Sequence, residues 1–184
     1  GNLNHGTLDK NNPISNFHEV NVTVSGKESI GFLRLADSST ANTKDFIFTD
    51  GKGKNDTHAT MGTFTFGNGA TDSTLIRTDK YGIQVKKDIT AIGKGYTQTV
   101  GMAATGTAAS TVVNVLNEGT IDLQGKKSIG MYVDKFTEGK STGSIKLSAL
   151  GDKDKTGNIG DAENVGISNK GKFTFQGNLE VNGK

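Results

Sequence analysis

The 184-residue sequence has no Cys and no Trp and only one Pro. Without Cys there can be no disulfide framework, zinc knuckle, iron–sulfur cluster or thiol nucleophile. A surplus of one charge sign is also missing. Twenty-one Lys and Arg stand against nineteen Asp and Glu, a net charge of +2, which leaves no electrostatic footprint for nucleic acid. No apolar run approaches the ~18 residues of a membrane helix, and no signal peptide opens the chain. The first residue is Gly1, so the sequence reads as a piece of something longer, with any targeting signal outside it. Apolar residues make up 32% of the chain, so the core must be thin or glycine must take part in it.

What is abundant is Gly, Thr and Asn, at 26, 23 and 16 residues. Thr favours strands, while Gly and Asn favour tight turns with positive φ. Stretches of good helix formers are nearly absent, so the expected class is all-β with many short strands. Self-comparison is the informative step. Residues 20–32, Val-Asn-Val-Thr-Val-Ser-Gly-Lys-Glu-Ser-Ile-Gly-Phe, are echoed by 119–131, Gly-Thr-Ile-Asp-Leu-Gln-Gly-Lys-Lys-Ser-Ile-Gly-Met. The first half, apolar–x–apolar, recurs at 62–67, 143–147 and 171–177. The second half, apolar–Gly–apolar, recurs around Gly82, Gly101 and Gly166.

In apolar–x–apolar, alternate side chains share one face, and a single such strand cannot bury its apolar row. Copies stacked in register ~4.8 Å apart can do so, forming a thin continuous core. Gly after each strand suits a corner where a side chain would not fit. The expected fold is a parallel β-helix, a solenoid forming one segment over 1–184. The uneven spacing of its copies predicts main insertions at 36–59, 67–78, 134–142 and 151–164. A compact antiparallel sandwich also gives short alternating strands, but it has no need of a repeated motif.

The motif at 119–132, with its copy at 20–32 and half-copies over most of the chain, resembles repeats of the large monomeric autotransporter adhesins of fusobacteria, the RadD-like outer-membrane proteins. The resemblance implies a fragment of a secreted passenger, a long right-handed parallel β-helix, extracellular and held on the cell surface through a C-terminal barrel that is absent here. It implies adhesion, with a host surface glycoprotein, glycan, immune receptor or another bacterium as partner. It offers no guidance for 36–59. Trimeric autotransporter heads also use Ser/Ala-Ile-Gly, but at a short and nearly constant period that this chain lacks.

Searching for chemistry returns little. There is no Gly-x-Ser-x-Gly, His-Glu-x-x-His or P-loop. His5, His18 and His58 have no companion ligands at a useful offset. β-Helical glycosidases and lyases need converging carboxylates, and here the acids are scattered. No enzyme activity and no cofactor are expected. Residues 152–163 follow a calcium-loop spacing, with Asp152, Asp154, Thr156 and Glu163 as candidate ligands. Lys153, Lys155 and the strand-like flanks favour a polar turn instead. Loops on rigid scaffolds usually hold function, so recognition is expected from the insertions. Phe136 and Lys135 in 134–142, and Phe46 and Phe48 in 36–59, are the candidate contact residues. The expected molecule is a monomeric adhesin fragment. A β-helical carbohydrate-active enzyme, such as a tailspike-like depolymerase, and a purely structural stalk segment are the competing readings.

Overall fold

The computed structural model describes residues 16–17, 21–35, 45–48, 63–86, 90–93, 98–107, 109, 112–149 and 162–182. Among them are seventeen strands and no helix. In chain order these are β1 (Asn16–Phe17), β2 (Asn21–Val24), β3 (Ile30–Arg34), β4 (Phe46–Phe48), β5 (Thr63–Phe66), β6 (Ser73–Thr78), β7 (Ile83–Val85), β8 (Thr90–Gly93) and β9 (Thr99–Ala104). They continue as β10 (Val115–Asn117), β11 (Thr120–Leu123), β12 (Ile129–Val133), β13 (Glu138–Ser141), β14 (Ser144–Leu147), β15 (Val165–Asn169), β16 (Lys172–Phe175) and β17 (Asn178–Val181).

Every pairing between them is parallel, and each joins a strand to the one three places later. Three sheets result. The first runs β1-β4-β7-β10-β13-β16, the second β2-β5-β8-β11-β14-β17 and the third β3-β6-β9-β12-β15. Consecutive strands therefore visit the three sheets in turn, and each triplet of strands adds one layer to all three. The molecule is all-β with parallel sheets, an order compatible with a β-helix. An antiparallel sandwich is excluded for the described residues.

Register explains the core. In the second sheet Ile121 pairs with Ile145 and Ile145 with Leu179, while Leu123, Leu147 and Val181 form the parallel column. In the third sheet Phe32, Ile76, Met102, Met131 and Ile167 stand in one column. One apolar cluster draws on all three sheets. Its aromatic part shows how they meet. Phe32 of β3 lies edge-on to Phe48 of β4, with centroids 4.9 Å apart, and Phe48 lies edge-on to Phe64 of β5 at the same separation.

Two expected insertions are corrected. The stretch 67–78 contains β6, a six-residue strand paired with both β3 and β9. Its alternation is hidden because Leu75 stands where the neighbouring strands carry glycine. The stretch 134–142 contains β13, paired with β10 and β16, so only a four-residue turn departs from the strand order. Within 36–59, β4 is a regular strand of the first sheet, and the remainder, apart from Asp45, lies outside the described residues. Of 151–164, only Ala162, Glu163 and Asn164 are described.

Two motif copies also move. Gly82 precedes β7 of the first sheet and does not join the glycine column of the third. The 171–177 copy supplies β16, likewise in the first sheet. The true successor to β14 is β17, preceded by Gly177.

Candidate functional site

The corners between sheets position the side chains that could meet a partner. Among the described residues, the corner leading into each of the five strands of the third sheet is built the same way. Glu28, Asp72, Gln98, Lys127 and Glu163 all have φ between 50° and 56°. That left-handed region is uncommon for residues with a side chain. Each is followed by a short polar residue, namely Ser29, Ser73, Thr99, Ser128 and Asn164. These link successive triplets. The Ser29 N–H donates to Ser73 Oγ (3.0 Å), Thr99 Oγ1 and Ser128 Oγ share a hydrogen bond (2.9 Å), and the Ser128 N–H donates to Asn164 Oδ1 (2.9 Å).

The apolar–Gly–apolar motif lies just beyond this corner. A Cβ on Gly101 would meet the Gly130 carbonyl oxygen at 2.7 Å and Ile121 Cγ2 at 2.9 Å. On Gly130 it would meet the Gly166 oxygen and Ile145 Cγ2, both at 2.5 Å. Glycine is therefore required because the next layer presses its backbone, and an isoleucine of the second sheet, onto this position.

At the corner between the third and first sheets, Arg34 occupies an inward column with Thr78, Ala104 and Val133. It is buried, with its guanidinium 3.9 Å from the Phe46 ring centre and 5.1 Å from that of Tyr81. Arg34 Nη1 donates to the Gly82 carbonyl (2.5 Å). Burial lowers the Arg34 pKa to about 10, partly offset by the nearby Asp45 carboxylate, and the group stays charged at neutral pH. Asp45 also accepts from Gln84 Nε2 (2.6 Å). Such a stacked, hydrogen-bonded cation fixes the corner.

The same corner three triplets further on is exposed. After β12 the chain turns through Asp134, Lys135, Phe136 and Thr137. Thr137 donates to the Asp134 carbonyl through both N–H (3.0 Å) and Oγ1 (2.9 Å), and the Lys135 N–H donates to Asp134 Oδ1 (2.8 Å). The Asp134 N–H is held by the Ala104 carbonyl (3.0 Å), and the Gly171 turn packs directly on the Thr137 and Asp134 carbonyls. On this rigid turn Phe136 is 40% exposed, with the Lys135 ammonium 5.3 Å from its ring centre. At the end of β12, Tyr132 has Lys170 5.8 Å from its ring. Two aromatic–cation pairs thus stand at this corner in successive layers.

A concavity lies at the corner from first to second sheet. It is an open groove of about 470 Å³ lined by Glu118, Gly119, Thr120, Thr142, Gly143, Ser144 and Asn178. The turns that line it are tied together by the neighbouring Asn117, whose side-chain amide donates to Ser141 Oγ (3.2 Å) and the Ser144 carbonyl (3.4 Å) and whose Oδ1 accepts from the Gly119 N–H (3.1 Å). Glu118 carries an ion pair to Lys86 (3.2 Å).

The candidates named from sequence divide accordingly. Phe136 and Lys135 stand together on an exposed turn. Phe48 is 1% exposed and belongs to the core, and Phe46 is half-buried beneath Arg34, so neither presents a ring as a surface anchor. The physical reason is that 46–48 is a strand of the stack, whose alternate residues face inward. Glu163 stands 3.9 Å from Lys127 Nζ as an exposed ion pair, while Asp152, Asp154 and Thr156 lie outside the described residues. Tyr132 and Lys170 were missed. Tyr132 follows an inward methionine in the motif, and alternation alone would have placed it outward.

No family model, curated protein or solved structure matches the chain. Among the described residues no helix is long and apolar enough to cross a membrane, and no group of three or more Asp, Glu, His or Cys could hold a metal ion.

Proposed function

We propose that the chain is a segment of a right-handed, closed parallel β-helix that serves as the passenger of a surface-exposed adhesin. The threefold strand order and the single core shared by three sheets support the scaffold. One observation carries the recognition role: a turn pinned by four hydrogen bonds holds Phe136 outward beside Lys135, with the Tyr132–Lys170 pair at the same corner. A rigid element that exposes aromatic rings and cations, instead of burying them, fits a contact surface. Its cations suit an acidic glycan or glycoprotein on a host cell or on another bacterium, and the extracellular location follows from that reading.

The test is adhesion of labelled 1–184 to host cells and to bacteria, with glycans released from both as competitors. Saturable binding reduced at least about tenfold by Phe136→Ala is expected. Retention of glycan without new reducing ends separates an adhesin from a depolymerase. Equal binding by the Phe136→Ala and Lys135→Ala variants would remove this turn from the site.

A further inference from the structure

The corner from the second sheet into the third varies in length. Between Val24 and Ser29, and again between Leu123 and Ser128, the chain turns in four residues, whereas between Phe66 and Ser73 it takes six. Hydrogen bonds locate the extra pair. The Gly67 N–H donates to the Val24 carbonyl (2.8 Å), the Thr71 N–H to the Gly26 carbonyl (3.1 Å) and the Glu28 N–H to the Thr71 carbonyl (3.1 Å). Gly67 therefore lies over Ser25, and Thr71 over Lys27. Ala70 then falls over Gly26, and Asn68-Gly69 matches nothing in the preceding layer. The Ala70 N–H donates to the Gly67 carbonyl (3.2 Å), and Gly69 has a φ of 85°, as at the third position of a type II turn. Asn68 and Gly69 thus form a tip pushed out of the stack.

Both residues are exposed, and a Cβ built on Gly69 would meet nothing within 4 Å. Among the described residues, neither the Asn68 side chain nor the Gly69 N–H has a hydrogen-bond partner. Asn117, Asn164 and Asn169 are held differently, because the N–H that follows each is bound. Glu118 donates to the Val85 carbonyl (2.7 Å), Val165 to that of Ser128 (2.9 Å) and Lys170 to that of Val133 (2.8 Å).

We propose that Asn68-Gly69 is a site of spontaneous deamidation, which converts Asn68 to aspartate and isoaspartate while the stack stays intact. The Gly69 amide nitrogen, having lost its proton to solvent base, attacks Asn68 Cγ. A N–Cγ bond forms, the Cγ–Nδ2 bond breaks, and Nδ2 leaves as ammonia with a proton from water. Water then opens the cyclic imide at either carbonyl. In sum one water is consumed and one ammonia released, with no change of oxidation state. Glycine favours the attack because it has no Cβ to crowd the nitrogen. The backbone must also turn toward the side chain, and an exposed tip outside the ladder leaves it free to do so. At Asn117, Asn164 and Asn169 the same movement would first break a bond between layers. The product adds one negative charge and, in the isoaspartyl form, one main-chain carbon. Both changes fall outside the ladder, since Gly67 and Thr71 remain bonded to the preceding layer.

The test is timed incubation of the 184-residue chain at mildly alkaline pH. Isoaspartate is counted by isoaspartyl methyltransferase labelling and located by peptide mapping. Label is expected at residue 68, with Asn117, Asn164 and Asn169 intact over the same period and the circular dichroism spectrum unchanged. Conversion should quicken as pH rises, because the attacking nitrogen must lose its proton. Asn68→Gln should remove the label, and Gly69→Ala should slow its appearance about tenfold or more. An unchanged rate in Gly69→Ala would reject the cyclic route. A peptide of residues 64–73 supplies the unrestrained rate. Conversion of that peptide but not of the folded chain would mean that the turn protects Asn68, and would overturn the proposal. Equal labelling at Asn117 also overturns it, since transient unfolding would then be the route. So does a loss of strand signal in step with conversion, which would make the tip part of the stack. None of these outcomes depends on adhesion through Phe136.

Discussion

β14 and β17 carry the same pattern and have opposite fates. Ser-Ile-Lys-Leu and Asn-Leu-Glu-Val pair residue for residue, yet Ile145 is 1% exposed and Leu179 47%, with Leu147 fully buried and Val181 45% exposed. The difference lies in what covers them. β14 has β11 on one side and β17 on the other, whereas β17 is the outermost strand of its sheet. An apolar–x–apolar strand therefore encodes which face turns inward, but its burial is supplied by the layers above and below. Stability in such a stack is a sum of nearest-neighbour terms, and equivalent substitutions should cost less at the edge.

Substitutions can break or sharpen this comparison. The largest expected effect is Ile145→Ala, a loss of about 2–5 kcal/mol of unfolding free energy in urea titrations. Leu179→Ala should cost less than about 1 kcal/mol, since nearly half of that side chain is already in water. Equal losses at the two positions would mean that β17 is covered in solution. Next comes the glycine pair. Gly130→Ala forces a methyl against backbone and should cost about 1–3 kcal/mol, whereas Gly166→Ala displaces only exposed side-chain ends and should cost about 1 kcal/mol or less.

The corner between third and first sheets permits a similar contrast. Arg34→Met removes a buried hydrogen bond to Gly82 and the stacking on Phe46, and should cost about 1–3 kcal/mol. Phe136→Ala at the exposed turn should change stability by less than about 0.5 kcal/mol. Smallest of all is Lys127→Ala. Its ion pair to Glu163 is long and exposed, so thermal melts should be unchanged within error.

The second and third sheets were legible because their strands keep a fixed frame: apolar–x–apolar for one, Ser-apolar-Gly-apolar for the other. The first sheet was not. One of its columns reads Phe48, Val85, Asn117, Ser141, Phe175. Asn117 and Ser141 are buried but hydrogen-bond to each other (3.2 Å), so polar residues serve in the core and hydropathy alternation disappears. In the adjacent column Gly139 leaves room for the ring of Phe173. Without a frame for this sheet, Gly82 and the 171–177 copy were assigned to the wrong strands, and β6 and β13 were read as insertions. Of the candidate site, Phe136 and Lys135 were visible as an aromatic flanked by charges. Phe46 and Phe48 were chosen for their place in the long 36–59 segment; Phe48 is buried and Phe46 half-buried because they pair as a strand of the first sheet.

The sequence by itself determined the strand class, the inward face of most strands in two sheets and the need for glycine at their corners. Those follow from period-two geometry and from residue types, which are local. Only the tertiary structure decided that strands pair three apart and that Arg34 is buried while Phe136 is not. Each of those depends on which segments of distant sequence come to lie against a residue, and no pattern within one strand carries that information.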